Sequence, residues 1–282
     1  MIELLGALLG WLAGAAFRVR RRHVEDALAR VHVERPTRVA AAVYRSLGVG
    51  LVELLAHALT RRPPVIELDG ESEARLDRAL AGGPVVIAAS HTGNWELAAA
   101  WLARRTPSAV VAKPLHDAPA NRALAALRRR LGVATIAPRG AARACLARLA
   151  AGQSVALVVD QVPDRPEHGI VLDFLGAEAY VDRAPFVLAA RAGVPVVVAA
   201  QRRVAAGRHA MTVLGVVPPH ARGGDVPRAR WVADAAAAAT RWLDAFVRQH
   251  PESWFWLHRR WRAPRSESAL PRPAAAGYPV EA

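Results

Sequence analysis

Short apolar runs alternate with amphipathic stretches along most of this chain. The run PVVIAAS is apolar throughout and lies between a glycine pair and polar residues, which is typical of a buried strand. Similar runs follow, each after a stretch with helical periodicity: SAVVAK, ATIAP, SVALVVDQ and VPVVVAAQRRV. A short turn then leads to HAMTVLGVVPP, which predicts an antiparallel neighbour. The pattern predicts an α/β fold with a central, mainly parallel but mixed sheet flanked by helices.

The pattern also predicts how the chain is divided. Residues 1–62 are predicted to be helical, residues 63–264 to form the α/β core, and residues 265–282, rich in Pro, Ala and Ser, to be a disordered tail. The apolar stretch of 14 residues from Leu4 to Phe17 is shorter than the ~20 residues that span a bilayer.

This N-terminal helical segment is therefore predicted to associate with a membrane, either as a monotopic element or as a single N-terminal anchor. Four arginines follow it and are placed at the lipid headgroups: Arg18, Arg20, Arg21 and Arg22. The alternative is an ordinary core helix with a basic end.

Composition narrows the classes of partner. The 282 residues carry a net charge of +14, and Lys113 is the single lysine among 38 basic residues. Such a charge favours an anionic partner: a membrane phospholipid, an acidic protein, a phosphorylated substrate or a nucleic acid. No nucleic acid is expected, because no binding module is present and the tryptophans lie in apolar contexts. The single cysteine, Cys145, lies in a helical pattern and is predicted to be a core residue.

Polar residues follow two of the predicted strands. Parallel α/β sheets carry their chemistry at the carboxyl ends of strands, where this chain has His91 and the pair Asp160 and Gln161. Glu96 follows His91 by five positions, in the first turn of the next helix. It either stabilises the positive end of that helix or accepts a hydrogen bond from the imidazole, which would make His91 a general base.

The nucleophile is predicted to belong to the substrate. The chain has no G-x-S-x-G motif, and Cys145 is in a helix interior, so a substrate hydroxyl or amine is the expected acceptor. No metal is expected, because the spacing of His91 and Glu96 differs from H-E-x-x-H and no second histidine follows at helical spacing.

Several blocks resemble one family. HTGNWE resembles the H-x4-D/E motif of glycerolipid acyltransferases, in the form found in bacterial lipid A late acyltransferases and phosphatidylinositol mannoside acyltransferases. Further blocks match in family order over roughly residues 45–264: KPLHDAPANRALAALRRRLG, IAPRGAARACLARLAAGQSVALVVDQ, DFLG, DRAPFVLAARAGVPVV and HPESWFWLHRRWRAP. The chain departs from the family in lacking its usual Asn near residues 24–29 and in a proline-rich stretch after Gln161.

The resemblance implies a membrane-associated acyltransferase at the cytoplasmic face of the bacterial inner membrane. It would move a fatty acyl group from an acyl-carrier-protein or coenzyme A thioester to a hydroxyl of a glycolipid, a lipid A precursor, with no cofactor. His91 and Glu96 would be catalytic. The alternatives are another lipid acceptor (a phosphatidylinositol mannoside, a lysophospholipid or an aminolipid), a hydrolase of acyl thioesters, and a basic nucleic-acid-binding protein.

A wider set of polar residues is predicted to bind substrate: Asn94, Asn121, Arg128, Arg139, Asp160, Gln161, Arg183, His258 and Arg259. Either Arg128 or Arg130 matches the family arginine. Trp254, Trp256 and Trp261 belong either to the core or to a belt at the membrane interface, and the neighbouring basic residues favour the belt.

Overall fold

The computed structural model of the chain describes residues 1–221 and 223–262. The helices within these ranges are α1 (Ile2–Trp11), α2 (Arg21–Arg30), α3 (Pro36–Thr60), α4 (Gly70–Ala81), α5 (Trp95–Arg105), α6 (Ala118–Arg130), α7 (Ala141–Ala150), α8 (Ala184–Ala192) and α9 (Arg228–Gln249). A π-helical turn, Leu12–Ala16, continues α1, and 3-10 turns lie at Pro166–His168 and Pro251–Ser253. The predicted disordered tail lies outside the described residues, and the predicted domain division stays a prediction.

The strands form a seven-stranded sheet and a separate hairpin. The strands are β1 (Val65–Glu67), β2 (Val86–Ala89), β3 (Ser108–Val111), β4 (Ala134–Ile136), β5 (Ser154–Val158), β6 (Gly169–Phe174), β7 (Ala177–Asp182), β8 (Val196–Ala205) and β9 (Arg208–Val217). The large sheet has the order β1-β9-β8-β2-β5-β3-β4, and every pair in it is parallel except β8 with β9. The predicted mixed, mainly parallel α/β sheet is therefore confirmed.

The hairpin of β6 and β7 is not indicated by the apolar pattern. Its two strands pair antiparallel around a two-residue turn, in which Leu175 and Gly176 both have positive φ. That backbone is the one a tight hairpin turn requires. In the second strand, AEAYVD, only Tyr180 and Val181 are residue types that favour strands, so the segment does not stand out as a strand.

Side chains of the central strands alternate between the two faces of the sheet, as the pleat requires. Val86 and Ala88 of β2 pack in a cluster with residues of α7, α8 and α9, and Cys145 lies in this cluster as predicted. Ile87 faces the other way and packs with Leu76 of α4 and Leu102 of α5. The candidate site lies on this second face.

The N-terminal helix α1 packs against α3 through a row of glycines. Gly6 contacts Val49 and Gly14 contacts the Tyr44 ring, so the two helices run antiparallel. A Cβ added at Gly10 would lie 2.3 Å from the Tyr44 carbonyl oxygen, so a larger residue there would push the helices apart. Small residues spaced four apart allow this close approach of two helix backbones.

One helix of the described residues is long and apolar enough to span a membrane by itself, namely α3. The segment Ile2–Ala16 passes the same test only jointly with α2, and that pair bends by 88°. In α3, 44% of the apolar window is buried inside the protein, so nearly half of it serves as core packing. The N-terminal apolar segment is thus a candidate for contact with a membrane.

Candidate active site

His91 lies in a tight turn between β2 and α5. Asn94 caps the helix, because its side-chain oxygen accepts from the Leu97 N–H (3.4 Å). Gly93 has a φ of 55°, and a Cβ there would lie 2.7 Å from the Gln201 carbonyl oxygen, so the turn requires glycine. The sequence therefore brings the imidazole to the end of a buried strand and reverses the chain directly after it.

The carboxylate that binds His91 belongs to Asp160. The Nδ1 atom of His91 lies 2.8 Å from Asp160 Oδ1, and the His91 backbone N–H donates to Oδ2 (2.7 Å). Asp160 follows β5, which is the parallel neighbour of β2, with Ala89 opposite Val158. Two strand ends therefore place the two residues side by side, although they are 69 positions apart.

The prediction that Glu96 accepts a hydrogen bond from His91 is wrong. The Glu96 carboxylate instead accepts two hydrogen bonds from Arg128 of α6, at 2.6 and 2.8 Å. Glu96 lies in the first turn of α5, where its side chain meets the end of α6. A bidentate pair of this kind fixes both side chains in one geometry.

Asp160 is buried, with 3% of its surface exposed, and it stays ionised. Burial raises its pKa, but the charge of His91 and hydrogen bonds from His91 and the Trp254 indole outweigh that effect and lower the pKa to about 2. An ionised carboxylate at Nδ1 holds that nitrogen as the N–H donor. The Nε2 atom of His91 is then the nitrogen that can take a proton.

Apolar side chains line a cavity of ≈ 420 Å³ beside His91. His91, Glu96, Arg128 and Gln161 lie along it together. Deeper apolar residues come from the strands and from α4 and α5: Leu76, Ile87, Leu102, Ala156, Val197 and Val213. The Gln161 amide nitrogen lies 3.3 Å from His91 Nε2, so the proton-accepting side of the imidazole faces this cavity. The site joins a candidate base to an apolar chamber.

The C-terminal segment pairs with the His91 turn. The Phe255 N–H donates to the His91 carbonyl oxygen (3.0 Å), and the Gly93 N–H donates to Ser253 (2.8 Å). The Trp254 indole N–H donates to Asp160 Oδ2 (2.8 Å). Trp254 and Phe255 therefore belong to the candidate site, to which the sequence pattern does not assign them. The only signal for them is the WFW cluster itself.

The prediction that the C-terminal tryptophans form a belt at the membrane interface is wrong for Trp254 and Trp256. Trp254 is 2% and Trp256 1% exposed, and their rings pack edge to face 4.7 Å apart. Both belong to a core cluster with Phe174 and residues of α2 and α3. Trp261 is half-buried and packs against this cluster.

Arg128, and not Arg130, faces the site. Arg130 donates from Nε to the carbonyl oxygen of Ala58 and ties α6 to α3. Of the residues predicted to bind substrate, Arg128 and Gln161 line the cavity, and Asp160 lies directly behind His91.

The remaining predicted substrate residues do not line the cavity as the structure describes it. Asn94 is buried and its side-chain amide donates to Gly50 of α3 (2.9 Å), so it supports the turn. Asn121 accepts from the Leu115 N–H (3.0 Å), while Arg139 and Arg183 are exposed.

Of the two arginines in the C-terminal sequence HRR, Arg260 lies inside the protein and Arg259 does not. Arg259 is exposed, whereas Arg260 is 1% exposed and donates to the Tyr180 carbonyl oxygen. Burial lowers the pKa of Arg260 to about 10, although the Asp160 charge opposes this. Burial also lowers the pKa of His258 to about 4, so that imidazole is neutral at pH 7.

Among residues 1–221 and 223–262, no three His, Cys, Asp or Glu side chains are grouped as they would be around a metal ion; independence of metals stays a prediction. A search of curated proteins found no match. The family model described as bacterial lipid A biosynthesis acyltransferase matches residues 1–263. With nearly the whole chain matched and a histidine beside an apolar cavity, this protein belongs to the bacterial lipid A biosynthesis acyltransferase family.

Proposed function

We propose that this protein transfers a fatty acyl chain from a thioester to a hydroxyl of a lipid A precursor at the cytoplasmic face of the inner membrane. One observation carries the proposal: the Nε2 side of His91 faces an apolar cavity of ≈ 420 Å³. That volume lies within the range of small-molecule sites, ~300–1,000 Å³. The acyl-carrier protein or coenzyme A thioester is the donor, the glycolipid is the acceptor, and no cofactor takes part.

The acyl chain occupies the apolar depth of the cavity. Its walls include apolar residues of β2, β5, β8 and β9, which carry no charge. The thioester carbonyl then lies at the polar end, near His91 and Gln161. Such a placement excludes water from the reacting atoms, and this favours transfer to a positioned hydroxyl over hydrolysis.

His91 acts as the general base in this reaction. Its Nε2 takes the proton from the acceptor hydroxyl as the hydroxyl oxygen forms a bond to the thioester carbonyl carbon. The carbon–sulfur bond then breaks, and the proton passes from His91 to the leaving sulfur. Asp160 stabilises the imidazolium that exists between these two proton transfers.

The oxyanion of the tetrahedral intermediate needs N–H groups that are not already donating to another acceptor. The backbone N–H groups of the turn are unsuitable, because those of His91, Gly93 and Asn94 donate to Asp160, Ser253 and Gln201. The Gln161 amide and the Arg128 guanidinium line the cavity, and each carries more N–H groups than its bond to His91 or its two bonds to Glu96 use. Glu96 acts here through Arg128: it holds the guanidinium in place.

Lipid analysis tests this function. Mass spectrometry of lipids from cells without the gene is expected to show lipid A that lacks one acyl chain. Wild-type protein restores the chain, and the His91→Ala variant does not. Fully acylated lipid A in cells that carry only the variant contradicts the mechanism.

Assays of the purified protein then separate the donors and the alternatives. An acyl-carrier-protein thioester and a coenzyme A thioester are offered in turn, each with the lipid acceptor. Release of free fatty acid without acylated lipid indicates the hydrolase instead. Acylation of a phosphatidylinositol mannoside, lysophospholipid or aminolipid in place of lipid A reassigns the acceptor.

Enlarging a residue in the cavity wall is expected to shorten the chain that the enzyme accepts. Ala156 faces the cavity from β5, so Ala156→Leu fills part of its depth. We expect kcat/KM for the longest accepted acyl chain to fall about tenfold, because overpacking costs about 1–3 kcal/mol, while shorter chains are little affected. Competition assays with thioesters of different chain lengths measure this. Ala103→Leu on α5, outside the cavity lining, is the control.

Removing the indole N–H of Trp254 is expected to lower kcat without leaving a cavity where the ring packs. Trp254→Phe keeps an aromatic ring against Phe174 but removes the donor to Asp160. A hydrogen bond to a charged group is worth about 1.5–3 kcal/mol, so we expect kcat to fall about 10- to 100-fold with KM for the thioester unchanged.

Trp256→Phe is the matched control for that variant. Trp256 is equally buried, but its indole donates to the Pro251 carbonyl oxygen (2.6 Å). Both variants lose one indole hydrogen bond, yet only Trp254→Phe changes the group behind His91. Equal losses of kcat in the two variants would show that Trp254 serves packing alone.

A further inference from the structure

The cavity of the candidate active site has a closed end and an open end. The apolar residues at the closed end are each at most 6% exposed: Leu76, Ile87, Val197 and Val213. Of the described residues that line the cavity, three consecutive ones are exposed, namely Lys113, Pro114 and Leu115. The cavity therefore opens to the surface at the segment that follows β3. We call this opening the mouth and define it by these three residues together with Pro163 and Asp182, which also line the cavity.

The mouth and the closed end lie on opposite sides of β2, the strand that leads to His91. In the sheet order, β8 and β9, with Val197 and Val213, are on one side of β2, and β5 and β3 are on the other. Because neighbouring strands are ~4.8 Å apart, the end of β3 is roughly 10 Å from the end of β2. Gln161 follows β5, between the two. An acyl thioester with its chain in the closed end and its carbonyl near His91 therefore directs its thiol arm past Gln161 to the mouth.

An exposed ion pair crosses the mouth. Lys113 Nζ donates to Asp164 Oδ1 (2.8 Å), and this contact joins the segment after β3 to the loop after β5. The two side chains are 55% and 76% exposed. A pair of this kind contributes little to stability, so a ligand that enters between the two segments displaces it at small cost.

Asp182, the last residue of β7, is the acidic group of the mouth. It is half-buried, and its Oδ1 accepts a hydrogen bond from the Ala184 N–H (2.9 Å) at the start of α8. The contacts described for residues 1–221 and 223–262 give its Oδ2 no donor. Burial raises the pKa of Asp182, although the Ala184 hydrogen bond and the Lys113 charge oppose that effect. A carboxylate that has lost part of its hydration and has an unused oxygen is stabilised by an N–H of a ligand.

The proposed acyl transfer leaves Asp182 without a role in the chemistry. The base is His91 and its carboxylate is Asp160, so Asp182 is free to contact a part of the donor that does not react. The pantetheine arm, which carries the acyl group in both acyl-carrier protein and coenzyme A, offers amide N–H groups along an extended chain. The first of them, a few bonds from the sulfur, falls within the roughly 10 Å that separate β2 from the mouth. An N–H that donates to a carboxylate forms a stronger hydrogen bond than one that donates to a neutral oxygen.

We infer that the mouth binds the pantetheine arm of the acyl donor and that Asp182 accepts a hydrogen bond from an amide N–H of this arm. The inference deepens the proposed function, on which it rests for the presence of an acyl thioester. It holds for either carrier, because both present the acyl group on the same arm. A thioester of a simple thiol fills the closed end equally well but leaves Asp182 without a partner, so the mouth selects the donor by its thiol.

Binding of unreactive thioethers to the full chain tests the mouth. Two probes share one alkyl chain: an S-alkyl pantetheine, and a 2-methoxyethyl thioether that has no N–H. We expect the wild type to bind the pantetheine probe at least about tenfold more tightly in calorimetry. Asp182→Asn keeps an oxygen for the Ala184 N–H and replaces the other oxygen by an amide nitrogen. It is expected to weaken binding of the pantetheine probe about tenfold and to leave the methoxyethyl probe unchanged.

Kinetics give a second measurement. With an acyl-pantetheine donor, Asp182→Asn is expected to raise KM for the donor about tenfold, with kcat and the KM for the lipid acceptor little changed, because Asp182 is remote from the reacting atoms. Glu167→Gln is the matched control, since this exposed carboxylate lies just before β6 and outside the cavity lining. It is expected to leave both KM values unchanged. The melting temperature shows whether each variant is folded, and the wild-type comparison of the two probes needs no variant.

Three results overturn the inference. The first is equal affinity of the wild type for the two probes, and the second is an Asp182→Asn variant that loses affinity for both probes alike. The third is a rise in the KM for the lipid acceptor in place of the donor, which assigns the mouth to the acceptor. If the wild type transfers no acyl group but still prefers the pantetheine probe, and Asp182→Asn removes that preference, the proposed function fails and the binding site stands.

Discussion

Replacing His91 by alanine is expected to lower kcat for acyl transfer about 10⁴-fold, the upper end of what a general base supplies. The variant keeps the cavity, so the KM for the thioester is expected to change little. The reason is that Nε2 of His91 is the one imidazole nitrogen left to take a proton, since Nδ1 is held by Asp160. Initial rates of acylated lipid formation measure the change.

A matched histidine variant controls for this result. His220 bonds the Val226 carbonyl oxygen before α9, remote from the cavity, and His220→Ala is expected to keep nearly full activity. The melting temperature of both variants confirms folding. If His91→Ala retains a tenth or more of the wild-type kcat, another group takes the proton and His91 is not the base.

The sheet and the location of the site are predictable from the sequence. Buried parallel strands need apolar runs of the kind seen at PVVIAAS, and the glycine pair before that run marks the end of α4. The carboxyl ends of such strands meet at one edge, so the sequence predicts that His91 and Asp160 lie at the same edge of the sheet, and they do. Each of these inferences depends on local periodicity.

The partner of His91 was not predictable, because it depends on strand order. Glu96 is five residues from His91 in the sequence, and Asp160 is 69. Only the pairing of β2 with β5, with Ala89 opposite Val158, brings Asp160 into contact. No local sequence pattern indicates which strands are neighbours in the sheet. The sequence therefore favours Glu96, the carboxylate that is nearer to His91 along the chain.

Aromatic clusters were ambiguous for a similar reason. A tryptophan beside basic residues fits both an interfacial belt and a core that is covered by arginine. The buried indole of Trp254 is recognisable only from its acceptor, Asp160, which lies 94 positions away. The role of the glycines in α1 is not predictable from the sequence either, because it depends on the close packing of α3 against them.

Asp160→Asn is expected to lower kcat about 10²–10⁴-fold, because an amide cannot stabilise the imidazolium as a carboxylate does and can hold the ring in the wrong tautomer. Binding of the thioester is expected to persist, since Asp160 lies behind His91 and outside the cavity lining. Asp225→Asn, an exposed carboxylate in the loop before α9, is the control. A Glu96→Gln variant with a larger loss than Asp160→Asn would restore Glu96 as the principal carboxylate.

Asp160→Asn is also expected to change how the free energy of unfolding depends on pH. The pKa of Asp160 is about 2 in the folded protein and 3.8 ordinarily, so the ionised carboxylate stabilises the fold above pH 3.8. That contribution is lost as the pH falls toward 2, where the folded protein also takes up the proton. Asparagine has no such titration, so the difference in unfolding free energy between wild type and variant is expected to shrink across this window. Urea unfolding at a series of pH values measures it, and a constant difference would mean that Asp160 is not held ionised by His91 and Trp254.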